Sequence, residues 1–181
     1  MKFTELEIPG VFLIEPKVYE DSRGAFFEFY QKELFQANGI QTNFVQDNLS
    51  VSAKGTLRGL HFQAEPKSQA KLVMVVSGEV FDVAVDLRKN SKTFGKHVAV
   101  YLSAQNRKLF FVPAGFAHGF CALTEGTKFL YKVSEYYSPE HERGIFWRDP
   151  ALEIKWPKLD TPYLLNERDQ KFPPLQAFTS K

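Results

Sequence analysis

The sequence predicts an all-β protein, a sandwich or barrel with a few short helices, folded as one domain over residues 1–181. Three observations lead there. The chain holds 18 Phe and 7 Tyr, aromatic residues that suit half-buried pleated surfaces. Apolar and polar residues alternate with a period of two over several short runs. Clusters of Gly, Pro, Asn and Ser separate those runs at the intervals of a sandwich or barrel. At 181 residues the chain is long enough to bury a real core in one domain.

In chain order, QKELFQANG (31–39) reads as the one clear helix, with Leu34 and Ala37 three apart and Asn38-Gly39 as its stop. A strand follows over 45–51. Its alternation sets Gln46, Asn48 and Ser50 on one face and Val45, Asp47, Leu49 and Val51 on the other. After the turn SAKGT comes TLRGLHFQ (56–63), a strand that carries Arg58, Gly59 and His61. Regular alternation would send Arg58 and His61 to opposite faces, so both enter one cavity only if Gly59 marks a bulge. Further strands fall at 71–76, at 79–87 (EVFDVAVDL), at 96–102, 108–112 and 127–136, with SGE, RKNSKTFG, SAQNRK, PAGFAHG and TEGT as the turns between them. In EVFDVAVDL one set, Phe81, Val83, Val85 and Leu87, faces opposite to Val80, Asp82, Ala84 and Asp86. The Pro-rich tail WPKLDTPYLLNERDQKFPPL is expected to run extended and turn-rich across the barrel.

Charge excludes some functions. Lys and Arg number 23 against 21 Asp and Glu, a formal net charge of +2, too even to draw nucleic acid or an anionic membrane by bulk electrostatics. The longest apolar run, LVMVV, is far too short to span a bilayer, and MKFTELEIPG lacks a signal-peptide core. A cytoplasmic location is expected. The single Cys121 reads as a small buried apolar residue.

Polar side chains on consecutive strands suggest a lined cavity: Gln46, Asn48 and Ser50, then Arg58 and His61, then Lys71. PAGFAHGF adds His118 in a P-x-G-x-x-H pattern that resembles the second half of the cupin signature. The first half of that signature carries two His one residue apart, and here the place reads His61-Phe62-Gln63. Without a third ligand, and with Lys71 nearby, no metal is expected.

Several motifs in order resemble one family. DSRGAFFEFY, FVQDNLSVSAKGTLRGLHFQ, KLVMVVSGEVFDVAVDLRKNSKTFGKHV, VPAGFAHGF, FLYKVSEYYSPEHERGIFWRDP and LNERDQKFP are together similar to the dTDP-4-dehydrorhamnose 3,5-epimerases, over nearly the whole chain. The resemblance implies a cupin-type jelly-roll β-barrel, a homodimer, and no cofactor. It also implies a dTDP-linked 4-keto-6-deoxyhexose as substrate, inverted at the two carbons flanking its ketone.

The chemistry then has candidates. Abstracting a proton beside a ketone needs a base poised near neutral pH, and imidazole suits it; His61 matches the family's base and Asp169 the carboxylate that orients it. Lys71 matches the cation that holds the enolate oxygen, and Tyr131 the proton donor on the opposite face. The resemblance makes Arg23, Glu28, Gln46, Asp47, Asn48, Arg58, Lys71, His118, Tyr137, Glu142 and Arg168 substrate-binding positions. Among them Tyr137 stacks on thymine, the two arginines Arg23 and Arg58 meet phosphate, and Arg23 and Glu28 reach in from a partner subunit. By residue type alone, Tyr131 equally fits a core aromatic and Lys71 an edge-strand lysine. His118 equally fits a satisfied barrel histidine, Arg23 a turn residue and Glu142 a surface charge. Rival readings are a single-centre epimerase or ketoisomerase, a barrel that binds a sugar nucleotide without reacting it, and a metal-dependent cupin.

Overall fold

The structure, a computed structural model, describes residues 1–179. Four short strands come first: β1 (Lys2–Glu5), β2 (Phe12–Glu15), β3 (Val18–Asp21) and β4 (Gly24–Phe27). Helix α1 (Lys32–Ala37) leads to β5 (Gln46–Ser52), β6 (Leu57–Gln63), β7 (Lys71–Ser77) and β8 (Glu79–Asp86). Then follow β9 (His97–Ser103), β10 (Leu109–Val112), β11 (Phe116–Ala122), β12 (Thr127–Val133) and β13 (Glu142–Gly144). A tail with short 3₁₀ turns closes the described chain. Among the described residues no helix is long and apolar enough to cross a membrane.

The strands form a jelly-roll barrel. A six-stranded sheet in the order β1-β2-β10-β7-β12-β5 faces a five-stranded sheet in the order β13-β6-β11-β8-β9, and β3 and β4 stand apart as a hairpin. Between the sheets lies the central core, built on Val73, Val75, Val80, Ala84, Leu102, Phe110, Val112, Phe116, Phe120 and Phe129. The outer face of the five-stranded sheet, with Leu60, Phe81, Val83, Val85 and Ile145, is covered by tail residues Ile154, Trp156, Leu159, Tyr163, Leu175 and Phe178. On the six-stranded sheet, Ile14, Leu72, Met74, Leu109 and Phe111 pack under Phe27, Phe29, Phe35, Ile40 and Phe44 of the segment around α1.

Both faces of β8 are therefore buried. Its odd-numbered residues lie under the tail and Val80 and Ala84 enter the barrel, so neither set meets solvent. One expected turn is corrected. The second half of PAGFAHG is strand, for β11 begins at Phe116 and is buried throughout; only Gly115, at φ +86°, turns the chain. Strands β1 to β4 have four residues each, too few for alternation to announce them.

Candidate active site

One end of the barrel stays open as a cavity of about 450 Å³. Its walls come from both sheets. Gln46, Asn48 and Ser50 of β5, Lys71 of β7 and Tyr131 of β12 line one side; Arg58 and His61 of β6, His118 of β11 and Glu142 of β13 line the other. Tyr137, Asn166, Arg168 and Asp169 also line it.

The bulge at Gly59 is present. Opposite β11, Phe120 pairs with Arg58 and His118 with His61, so three steps on β6 match two on β11 and one residue is extra. This turns both Arg58 and His61 into the cavity, and Leu60 goes into the packing under the tail. Gly59 has φ +125°, and a Cβ there would stand 2.5 Å from Gly119 Cα and 2.8 Å from the His118 carbonyl oxygen. Only glycine fits.

His61 Nε2 lies 2.8 Å from Asp169 Oδ1, and Asp169 Oδ2 accepts the Gly59 N–H at 3.0 Å. Asp169 is 1% exposed. Burial alone would raise its carboxyl; the hydrogen bonds from His61 and Gly59 and the charge of Arg168 outweigh burial and hold it below the usual range. The tail delivers this carboxylate by pairing with the start of β6, Leu164 N–H to Gly55 O at 2.9 Å and Leu57 N–H to Leu164 O at 3.0 Å. Asn166 Oδ1 then accepts the Asp169 N–H at 2.7 Å. Phe172 sets its ring at 77° to the imidazole of His61, 5.5 Å away. With Nε2 spent on Asp169, Nδ1 is the nitrogen left to take a proton.

His118 repeats the arrangement deeper in the barrel, its Nε2 2.7 Å from Asp82 Oδ1. Burial draws the Lys71 ammonium down to about 8, against the pull of Asp82 and Glu142. Burial likewise raises the Tyr131 phenol, opposed by Arg58, so it carries its proton at neutral pH. Among the described residues, no group of three or more His, Cys, Asp or Glu is placed to hold a metal ion.

At the mouth, Tyr137 Oη donates to Glu142 Oε2 at 2.8 Å, and Arg168 Nη1 donates to the same oxygen at 2.6 Å. Gln63 clamps the loop that carries Tyr137, donating to the Lys67 and Tyr136 carbonyls and accepting the Ser138 N–H. Arg58 is steadied by Ser52 Oγ at 3.2 Å.

Three expected positions are not in the cavity. Asp47 sits on the outer face of β5, where Lys132 Nζ holds it at 2.7 Å, because alternation turns it away from Gln46 and Asn48. Arg23 is at the tip of the β3–β4 hairpin, paired with Asp21 at 2.6 Å, and Glu28 follows β4, exposed. Sequence reasoning overlooked Asp82, Gln63 and Asn166. Asp82 carried a signal: a charge on the same strand face as Val80 and Ala84.

Comparison with known proteins agrees with this geometry. The family profile described as dTDP-4-dehydrorhamnose 3,5-epimerase matches residues 5–177. The dTDP-4-dehydrorhamnose 3,5-epimerase of Pseudomonas aeruginosa is 54% identical over 172 residues, 94% of each chain. Among solved structures, the enzyme of the same name from Elizabethkingia anophelis NUHP1 superposes with a TM-score of 0.94 at 43% identity, over 99% of both chains. The dTDP-6-deoxy-D-glucose-3,5-epimerase from Legionella pneumophila, solved with dTDP-4-keto-L-rhamnose, gives 0.93 at 45% identity over 97% of this chain and 93% of that one. With its barrel, its bulged strand and its imidazole–carboxylate dyad, the chain belongs to the dTDP-4-dehydrorhamnose 3,5-epimerase family.

Proposed function

We propose that the chain inverts carbons 3 and 5 of dTDP-4-dehydro-6-deoxy-D-glucose, giving dTDP-4-dehydro-L-rhamnose. The observation that carries the reading is the placing of His61 and Tyr131 on opposite walls of one cavity. In a gluco-configured chair the hydrogens on carbons 3 and 5 are axial on the same face, so one base reaches both. His61 takes each proton, with Asp169 stabilising the imidazolium that results. Lys71 holds the enolate oxygen formed at carbon 4. Tyr131 returns a proton from the other face, and that change of face is the inversion; between the two inversions His61 gives its proton to solvent and Tyr131 regains one from it.

Arg58 meets the diphosphate, Gln46, Asn48, His118 and Arg168 the remaining polar groups, and Tyr137 stacks on the thymine, with Glu142 fixing its hydroxyl. Arg23 and Glu28 serve the cavity of a second copy in a homodimer. Support for this comes from the outer face of the six-stranded sheet, where Leu49 (58%), Val51 (59%) and Val76 (50%) are exposed, and from Tyr19 and Phe26, exposed on the hairpin beside Arg23. A cytoplasmic setting is part of the same reading and suits the free, buried thiol of Cys121.

The test is proton NMR of the substrate in deuterated water with chelator present. Deuterium at both carbons is expected, and His61→Ala is expected to abolish exchange while dTDP affinity stays within about threefold, since each proton-transfer group supplies about 10²- to 10⁴-fold. Label at one carbon would replace the reading with a single-centre epimerase. Exchange unchanged in His61→Ala would remove the assigned base, and no exchange at all would leave a binding barrel.

A further inference from the structure

Asp82 has no part in the reaction as described, yet it is 0% exposed inside the barrel. It shares the inward face of β8 with Val80 and Ala84, where packing alone is served as well by an apolar side chain. Oδ1 takes the hydrogen bond from His118 Nε2 at 2.7 Å. Oδ2 is buried and has no hydrogen-bond partner among the described residues, a condition it shares with Ser50 Oγ of the cavity lining. Burial raises the Asp82 carboxyl, and His118 and Lys71 pull it the other way; a carboxylate half unpaired inside the barrel calls for a charge to oppose it.

That charge is Lys71, which projects into the cavity from the facing sheet. Burial disfavours its charged form, and Asp82 and Glu142 of β13 favour it. The remaining groups that face this space differ in kind. Arg58 and His61 of β6 and Arg168 of the tail are cationic or become so. Tyr131 of β12 and Tyr137 are phenols, and Asp169 is engaged by His61 and Gly59.

We infer that Asp82 is a positioning residue for the reaction: its carboxylate pins the His118 ring through Oδ1 and is the counter-charge that anchors the Lys71 ammonium against the developing enolate. With Nε2 of His118 spent on Asp82, its Nδ1 is presented to the substrate. This rests on the reading of Lys71 as the group that holds the enolate oxygen. It makes the floor of the barrel a working part of the site, where a merely structural carboxylate would affect only folding.

The experiment is the dependence of kcat and KM on pH, from about pH 6 to pH 10, for wild type, Asp82→Asn and Lys71→Met, with folding followed by circular dichroism. In the wild type, activity is expected to fall as pH rises through about 8, where Lys71 loses its proton. Removing the Asp82 charge makes the ammonium less favourable, so in Asp82→Asn that alkaline limb moves down by about one pH unit. At pH 7 kcat then falls only about twofold and at pH 9 about tenfold, with KM within about threefold, and activity recovers toward lower pH. A structural role alone lowers the melting temperature and leaves the limb in place. Asp82→Ser, which keeps an oxygen for His118 in less volume, is the second variant should Asp82→Asn fail to fold, and the same displacement is expected. If Lys71→Met is inactive while the folded Asp82 variants keep the wild-type limb, this inference is overturned and the enolate role stands. If Lys71→Met retains wild-type kcat, the enolate role fails and the inference with it.

Discussion

A single glycine decides whether Arg58 and His61 share a cavity. Any side chain at residue 59 collides with the backbone of β11, so Gly59→Ala must straighten β6 or push the strands apart. Either change rotates one of the two polar residues away. We expect kcat/KM to drop by about 100-fold or more, in line with the effect of displacing a catalytic group by about 1 Å, with dTDP binding weakened as Arg58 shifts. A Gly59→Ala enzyme of wild-type activity would mean that the bulge is not needed. Arg58, His61, Gly59 and Lys71 were legible in the sequence because each is out of keeping with the strand that holds it. Asp82 is just as out of keeping. It escaped because a charge on one face of a strand reads as solvent-facing until something is known to cover the sheet on both sides.

At the scale of elements, the long alternating strands β5 to β9 and β12 were legible to within a residue or two at most ends, β12 being shorter than expected at its C-terminal end. Strand β11 was obscured by its Gly and Ala, which in PAGFAHG read as turn chemistry; in the barrel these small residues allow β6 and β11 to approach closely at Gly59 and Gly119. The tail is the element with the largest functional share, since it both covers the five-stranded sheet and carries Asp169. Its 3₁₀ turn at Asp169–Lys171 is tied down by Asn166. Asn166→Ala leaves the Asp169 N–H unpaired, a loss of about 1 to 3 kcal/mol borne by the turn. We expect kcat about tenfold lower at unchanged KM, with the barrel's melting temperature moving only a few degrees. Crystallography or NMR showing Asp169 still on His61, together with full activity, would count against that role for the turn.

For the whole molecule, the hairpin that carries Arg23 stands apart from both sheets, and an uncovered apolar strip lies on the outer face of β5 and β7. In the proposed homodimer a second copy joins the two observations. Leu49→Glu puts a charge into the strip and is expected to give monomers in sedimentation velocity, with KM for the sugar nucleotide raised about tenfold or more, equivalent to about 1.4 kcal/mol of binding. Arg23→Ala should raise KM alike and leave the proposed dimer whole. Monomers with an unaltered KM would separate assembly from catalysis. None of this could be read from the alternation of β5, because an outward apolar set and an inward one have the same period.

The barrel offers His61 on one sheet and Tyr131 on the other, so the gap between sheets works like a caliper closed on one thickness of sugar ring. Its opening is set by the core residues, Phe120 and Phe129 among them, that keep the two sheets at their distance.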